Sequence, residues 1–346
     1  MPFNNKNLPH SLILVFLFIL ILSACNCGKE KKKPNVSDIK IELTTYRFDR
    51  EFQHLDTTKM QASMMMLEKK YDIYYDVYIH DIMKFGYRRD SSNFLAENIK
   101  GYLRNRDMKD LYDTVQQRFP SMDPFETELK KSFQFAKYYA PHIKLPSKLV
   151  TCIGGLNMGA FTIDTDYVSV GLDLFLGDQY VHYDVFPQYI SAKFIKELML
   201  PNTMKAIYNN NFGNPYMTSE NLISTMIEVG KQQYFLEKAL PDVSSEYLFA
   251  YSSDQLKWCE ASEKSIWKYL ADKDDFYKER DEDIRHYIGE QPSTPGMPPE
   301  SPGNIGAWVG YKIVSAYMES MNNQPSMEQL IKTNPKEILA KSKYKP

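Results

Sequence analysis

Lysine and arginine total 42 against 44 aspartates and glutamates in a chain of 346 residues, a formal charge of −2 at pH 7. That length supports one large domain or two small ones with a sizeable core, and the near-neutral balance excludes the basic footprint that nucleic-acid binding requires. The 4 cysteines, Cys25, Cys27, Cys152 and Cys259, are too few and too scattered for a disulfide framework.

In chain order, the first element is an uninterrupted apolar run over residues 12–22, closed by Ser23, Ala24 and Cys25. The run is too short to span a bilayer and matches the hydrophobic region of a secretory signal. Small residues followed by a cysteine have the form of a lipobox, in which the thiol is diacylated and the chain is cut before it. The expected organisation is a lipoprotein signal peptide over 1–24, an acylated Cys25 with a basic tether over 25–37, and a single α+β domain over 38–346. Each buried methylene contributes about 0.8 kcal/mol, so two or more acyl chains hold a protein on a membrane essentially permanently. Lys29, Lys31, Lys32 and Lys33 either touch anionic head groups or keep the domain off the bilayer as a solvated linker.

Alternation at Ile39, Ile41 and Leu43 predicts a strand over 39–52. Asp56 then caps a helical pattern running to about Met83, with Met60, Met64, Leu67, Tyr71, Tyr74 and Tyr78 as one apolar stripe that belongs to the core. Amphipathic helices are predicted over 93–104, 108–119 and 123–139, the last opened by Asp123 as N-cap and Pro124 at the first helical position. Residues 148–176 change character: short β-rich runs separated by Gly, Asn and Asp predict a small antiparallel meander. Its glycine segment, Gly154 to Gly159, lacks the Gly-Lys-Ser/Thr ending of a phosphate loop and is a turn. Helices resume over 187–210, interrupted by Pro201, then over 218–240 from a weak Thr218 cap, and over 244–270. A proline- and glycine-rich loop over 291–306, of a length that often carries function, leads into an apolar helix over 305–321.

Catalytic signatures fail one by one. A helical zinc site needs two histidines one turn apart with a glutamate beside the first. The 6 histidines, His10, His54, His80, His142, His182 and His286, include no pair three to five residues apart. The helix after the meander, where such a motif would sit, reads Phe194-Ile-Lys-Glu-Leu-Met-Leu-Pro, without histidine. No Gly-x-Ser-x-Gly elbow occurs. Asp164, Asp166, Asp173 and Asp178 do not match the spacing of a calcium loop and are expected as turn and strand-end residues. Cys152 is expected to be a small buried hydrophobe, without a bridge to Cys259.

Three stretches resemble one family: Arg47-Phe-Asp-Arg-Glu-Phe, Val170-Gly-Leu-Asp-Leu-Phe-Leu-Gly, and the C-terminal portion with Ser301-Pro-Gly-Asn-Ile-Gly-Ala-Trp, ending Ser342-Lys-Tyr-Lys-Pro. Together they are similar to the gliding-motility lipoprotein family GldB of the Bacteroidetes, over essentially the whole mature chain. The resemblance implies a membrane-anchored lipoprotein needed for surface gliding, in organisms that also carry a type IX secretion apparatus. It implies an α+β fold: a mostly helical body around a small antiparallel sheet, similar to a zinc-peptidase-like scaffold without the metal motif. In that scaffold a later glutamate is a zinc ligand, and Glu228 stands in the corresponding segment. Without the histidines it holds no zinc, so no catalytic, cofactor or metal residue is carried over.

The expectation is therefore a non-catalytic component of the cell envelope, lipid-anchored through Cys25 at the inner or outer membrane. It acts through contacts with other gliding or secretion proteins and binds no nucleic acid. The loop over 291–306 and exposed tyrosines are its expected contact surfaces. The alternatives are a divergent hydrolase, either a peptidase or a cell-wall enzyme, and a lipoprotein that binds sugar or peptide on its aromatic residues.

Overall fold

A computed structural model of the protein describes residues 33–217, 220–273 and 275–346. In it the chain runs β1 (Thr44–Tyr46), α1 (Phe48–Gln53), α2 (Met60–Tyr71), α3 (Ile73–Val77), α4 (Ser92–Arg104), α5 (Arg106–Arg118) and α6 (Asp123–Tyr139) before reaching β2 (Lys148–Cys152), β3 (Ala160–Ile163) and β4 (Tyr167–Gly171). Short α7 (Gln188–Ser191) leads to α8 (Met199–Phe212), α9 (Leu222–Ala239), α10 (Ser245–Phe249), α11 (Ser253–Ala261), α12 (Glu263–Asp272) and α13 (Asp281–Ile288). The chain closes with α14 (Ile305–Ser320), α15 (Met327–Lys332) and α16 (Pro335–Ser342). Val36–Pro346 forms one compact unit. The expected signal, Cys25 and all of the tether before Lys33 lie outside the described residues.

The fold is α+β, as expected, but its sheet is mixed rather than antiparallel. Strand order is β1-β2-β4-β3, with β1 and β4 parallel to β2, and β3 antiparallel to β4. The reason lies in the turns. Asp164 takes the left-handed conformation, φ 48°, and folds β3 directly back on β4. Asp173, just past β4, accepts the backbone N–H groups of Gly154 (2.8 Å) and Leu156 (2.6 Å), just past β2. Clamping those two ends side by side makes β2 and β4 run the same way. The predicted strand over 39–52 is strand only at Thr44–Tyr46. Phe48–Gln53 is helical instead, because the chain must turn to bring Phe48 and Phe52 onto the sheet.

Alternating strand residues feed two cores on opposite faces. Val150, Cys152, Ile163 and Tyr167 meet Phe48, Phe52 and the Met-Tyr stripe of α2 and α3. All six stripe residues are buried, each of the order of 1.5–3 kcal/mol of burial. Their helix does not run unbroken to Met83: Asp72, at φ 47°, ends α2, and a π-helical turn spans Tyr78–Ile82. Two of the buried hydroxyls find partners, Tyr74 Oη lying 2.9 Å from Ser169 Oγ and Tyr78 donating to Ile153 O at 2.9 Å.

The second core sets Leu149, Val168 and Val170 against α6, α8, α9 and α14. Pro201 causes no kink, since α8 starts at Met199 and its first-turn N–H groups have no intrahelical acceptor to lose. The cap of α9 is Asn221, accepting from Ser224 N at 3.1 Å; Thr218 lies outside the described residues. At α6 the cap position is Met122, with Asp123 already in the first turn. The single helix predicted over 244–270 is three, because Ala250 adopts φ 54° and a Ser252–Gln255 capping box restarts the chain. Cys152 and Cys259 are free thiols, and burial pushes each up to about 12. Among the described residues no helix is long and apolar enough to cross a membrane.

Candidate functional site

The loop expected to carry function forms one wall of a cleft of about 690 Å³. Its other walls are the segment from Tyr189 to Leu198 and the junction of α10 with α11. The loop is pinned from within. Ser301, fully buried, accepts from Thr294 N at 3.1 Å and donates to Pro298 O at 2.7 Å, while Thr294 Oγ1 donates to Pro302 O at 2.5 Å. Gly303 touches the far strand of the loop so closely that a Cβ there would sit 2.0 Å from Gln291 O. Tyr251 reaches across and donates to the Asn304 carbonyl. Lys193 pairs with Glu290 at one end of the cleft. The lining combines Tyr189 and Tyr247 with Ser252, Gln255 and Gln291, ring faces and neutral hydrogen-bonding groups suited to recognition, and carries two charged residues, Lys193 and Glu246.

The other two resemblance-bearing stretches are also fasteners. Asp49, 3% exposed, receives Arg47 Nε at 3.0 Å and Nη2 at 2.8 Å, Thr151 Oγ1 at 2.5 Å and Gln116 Nε2 at 2.8 Å. Arg47 and Arg50 also donate to the Phe119 and Pro120 carbonyls, so α1 is tied to the end of α5. Asp173 holds the glycine turn with its carboxylate and accepts Tyr183 Oη on its carbonyl at 2.6 Å. Burial raises its carboxyl to about 6, against the opposing pull of the amide donors.

The sequence-stated candidates do not converge. Glu228 is paired with Lys231 Nζ at 2.8 Å, and that buried amine also donates to Ile331 O and Thr333 O. His80 Nδ1 lies 2.7 Å from Gly86 O, His142 pairs with Glu328, and His54 and His182 pack on Tyr112 and Tyr180. Asp164 and Asp166 stand in the β3–β4 turn and Asp173 just past the end of β4, with Asp178 a few residues further on. No group of three or more His, Cys, Asp or Glu side chains among the described residues is placed to hold a metal ion. Sequence reasoning missed Lys231 altogether. A lysine inside an otherwise apolar helical stretch is the signal that marks it.

The family model described as gliding motility protein GldB covers residues 29–346. No curated protein matches, and no solved structure does.

Proposed function

The chain belongs to the gliding motility protein GldB family, and from that premise we propose that it is a lipid-anchored, non-catalytic component of the cell envelope. A role in gliding motility comes with the family. Cys25 carries the acyl anchor, and the folded body acts through contacts with other gliding or secretion proteins.

What supports this reading is the use made of three carboxylates, two of them buried. Asp49, Asp173 and Glu228 are each consumed by hydrogen bonds or an ion pair that fasten the fold. The cleft under the pinned loop is walled mainly by tyrosines, amides and hydroxyls, with Lys193 already paired to Glu290 and Glu246 at its margin, a lining suited to recognition.

Two variants in a gliding host test the proposal. Cys25→Ala is expected to move the protein from the membrane to the soluble fraction and to abolish colony spreading. Retention at the membrane overturns the anchor. Tyr189→Ser with Tyr247→Ser is expected to abolish spreading while membrane association and thermal stability stay unchanged. Full spreading by that double variant overturns the cleft as the contact surface.

A further inference from the structure

The sheet ends at β3, and its outer edge is open. Gly171 N donates to Gly159 O, and the register places Gly159 opposite Gly171, which makes that a hydrogen-bonded pair of the antiparallel ladder. Such pairs alternate, so Phe161 and Ile163 also bond to β4. Ala160 and Thr162 therefore point their N–H and C=O groups outward, and no backbone group of the described residues bonds them there. The two residues repeat at about 6.8 Å, twice the rise of an antiparallel strand.

Beside this edge runs a groove of about 610 Å³, floored by α8. Asn202, Lys205 and Asn209 line it at i, i+3 and i+7, one face of the helix. Two bonds hold the floor in place. Asn210 Nδ2 donates to Asp164 O at 2.7 Å, tying α8 to the β3–β4 turn. Gln232 Nε2 donates to Asn209 Oδ1 at 2.7 Å, which leaves the Asn209 amide nitrogen as a donor. Lys205 makes no ion pair among the described residues. The carboxylate influencing it, Glu290, is already paired with Lys193. Burial lowers its amine to about 8, so an incoming carboxylate meets a cation that water solvates poorly.

We infer that the β3 edge and the α8 groove bind an extended peptide segment carrying an acidic side chain. The segment adds a strand outside β3 through Ala160 and Thr162, and its carboxylate pairs with Lys205. Only another extended backbone supplies donors and acceptors at the strand repeat. The lysine then selects an acidic segment over a neutral one, with Asn202 and Asn209 donating beside it. The inference stands independently of the lipid anchor and of the cleft.

The test uses the full-length chain in detergent and fluorescent octapeptides of alternating threonine and valine with one aspartate placed at each position in turn. At least one aspartyl peptide is expected to bind about tenfold more tightly than its asparaginyl analogue, the order of gain for a charge-assisted contact. Amide exchange should slow at Ala160 and Thr162. Lys205→Met should lower the affinity to that of the asparaginyl peptide without lowering thermal stability. N-methylation of alternate peptide amides, which leaves the protein untouched, should abolish binding. Absence of binding by every aspartyl peptide overturns the inference, as does unchanged affinity after N-methylation or after Lys205→Met.

Discussion

Gly230 in α9 and Gly310 in α14 meet backbone to backbone. A Cβ added at Gly310 would lie 1.6 Å from the Met226 carbonyl oxygen, and one added at Gly230 would lie 2.2 Å from the Gly310 carbonyl carbon. The two helices of the second core are thus pressed together at a point where only hydrogen fits. Gly310→Ala is expected to destabilise the fold by about 3 kcal/mol or more, since main chain rather than a side-chain tip must move. Gly101→Ala is the control. It stands in α4 with nothing within 4 Å of the added Cβ, so the change should stabilise by about 0.5–1 kcal/mol. Denaturant unfolding of the two variants measures both effects, and equal stabilities would mean that the crossing relaxes freely.

Lys231 is the second fastening point. Its amine, 1% exposed, donates to Glu228 Oε1 and to the carbonyls of Ile331 and Thr333, holding the end of α15. Lys231→Met leaves those acceptors unpaired and should cost about 3 kcal/mol, with amide-exchange protection lost first over residues 327–342. Glu228→Gln should cost about 1 kcal/mol at most, because Glu228 keeps access to water. A larger loss at Glu228 than at Lys231 would contradict this assignment.

At the start of the domain Asp49 gathers Arg47, Gln116 and Thr151. Asp49→Asn keeps the volume but removes the charge facing a largely buried guanidinium, at an expected cost of about 3 kcal/mol. Arg47→Lys should also destabilise, because an ammonium cannot reproduce the two-pronged contact while reaching Phe119 O. Thermal unfolding of the two variants decides, and a neutral Arg47→Lys would show that charge alone suffices.

Asp173 makes stability depend on pH in the opposite sense to a surface salt bridge. Its carboxyl titrates near 6 in the fold against an ordinary value of 3.8. The folded state therefore binds the proton more tightly, and the stability this contributes is present below about pH 4 and lost as pH rises through 6. The stability of the natural chain relative to Asp173→Asn should fall by about 3 kcal/mol across that window and stay flat above pH 7. A constant difference from pH 4 to 7 would mean that Asp173 titrates like an exposed aspartate.

Local chemistry made much of the architecture readable in advance. The strands at 148–152, 160–163 and 167–171, the helices beginning near 92, 123 and 305, and the buried Met-Tyr stripe all follow from patterns within a few residues. The mixed sheet did not, because its direction depends on Asp173 reaching Gly154 and Leu156 across 17 residues or more. The candidate sites were less legible. The loop over 291–306 was identifiable from its prolines and glycines, whereas the groove under β3 arises only when an edge strand and a helix some 40 residues later come together.

By itself the sequence determined most of the helices and strands, the family resemblance and the expectation of a lipid anchor at Cys25. Each of these is written in adjacent or periodic side chains. Tertiary structure alone decided which carboxylates are spent as fasteners, that Glu228 answers to Lys231, and which strand edge stays open. Those outcomes depend on groups distant in the chain meeting in space, where burial makes an unpaired charge costly and an unpaired strand edge available to a partner.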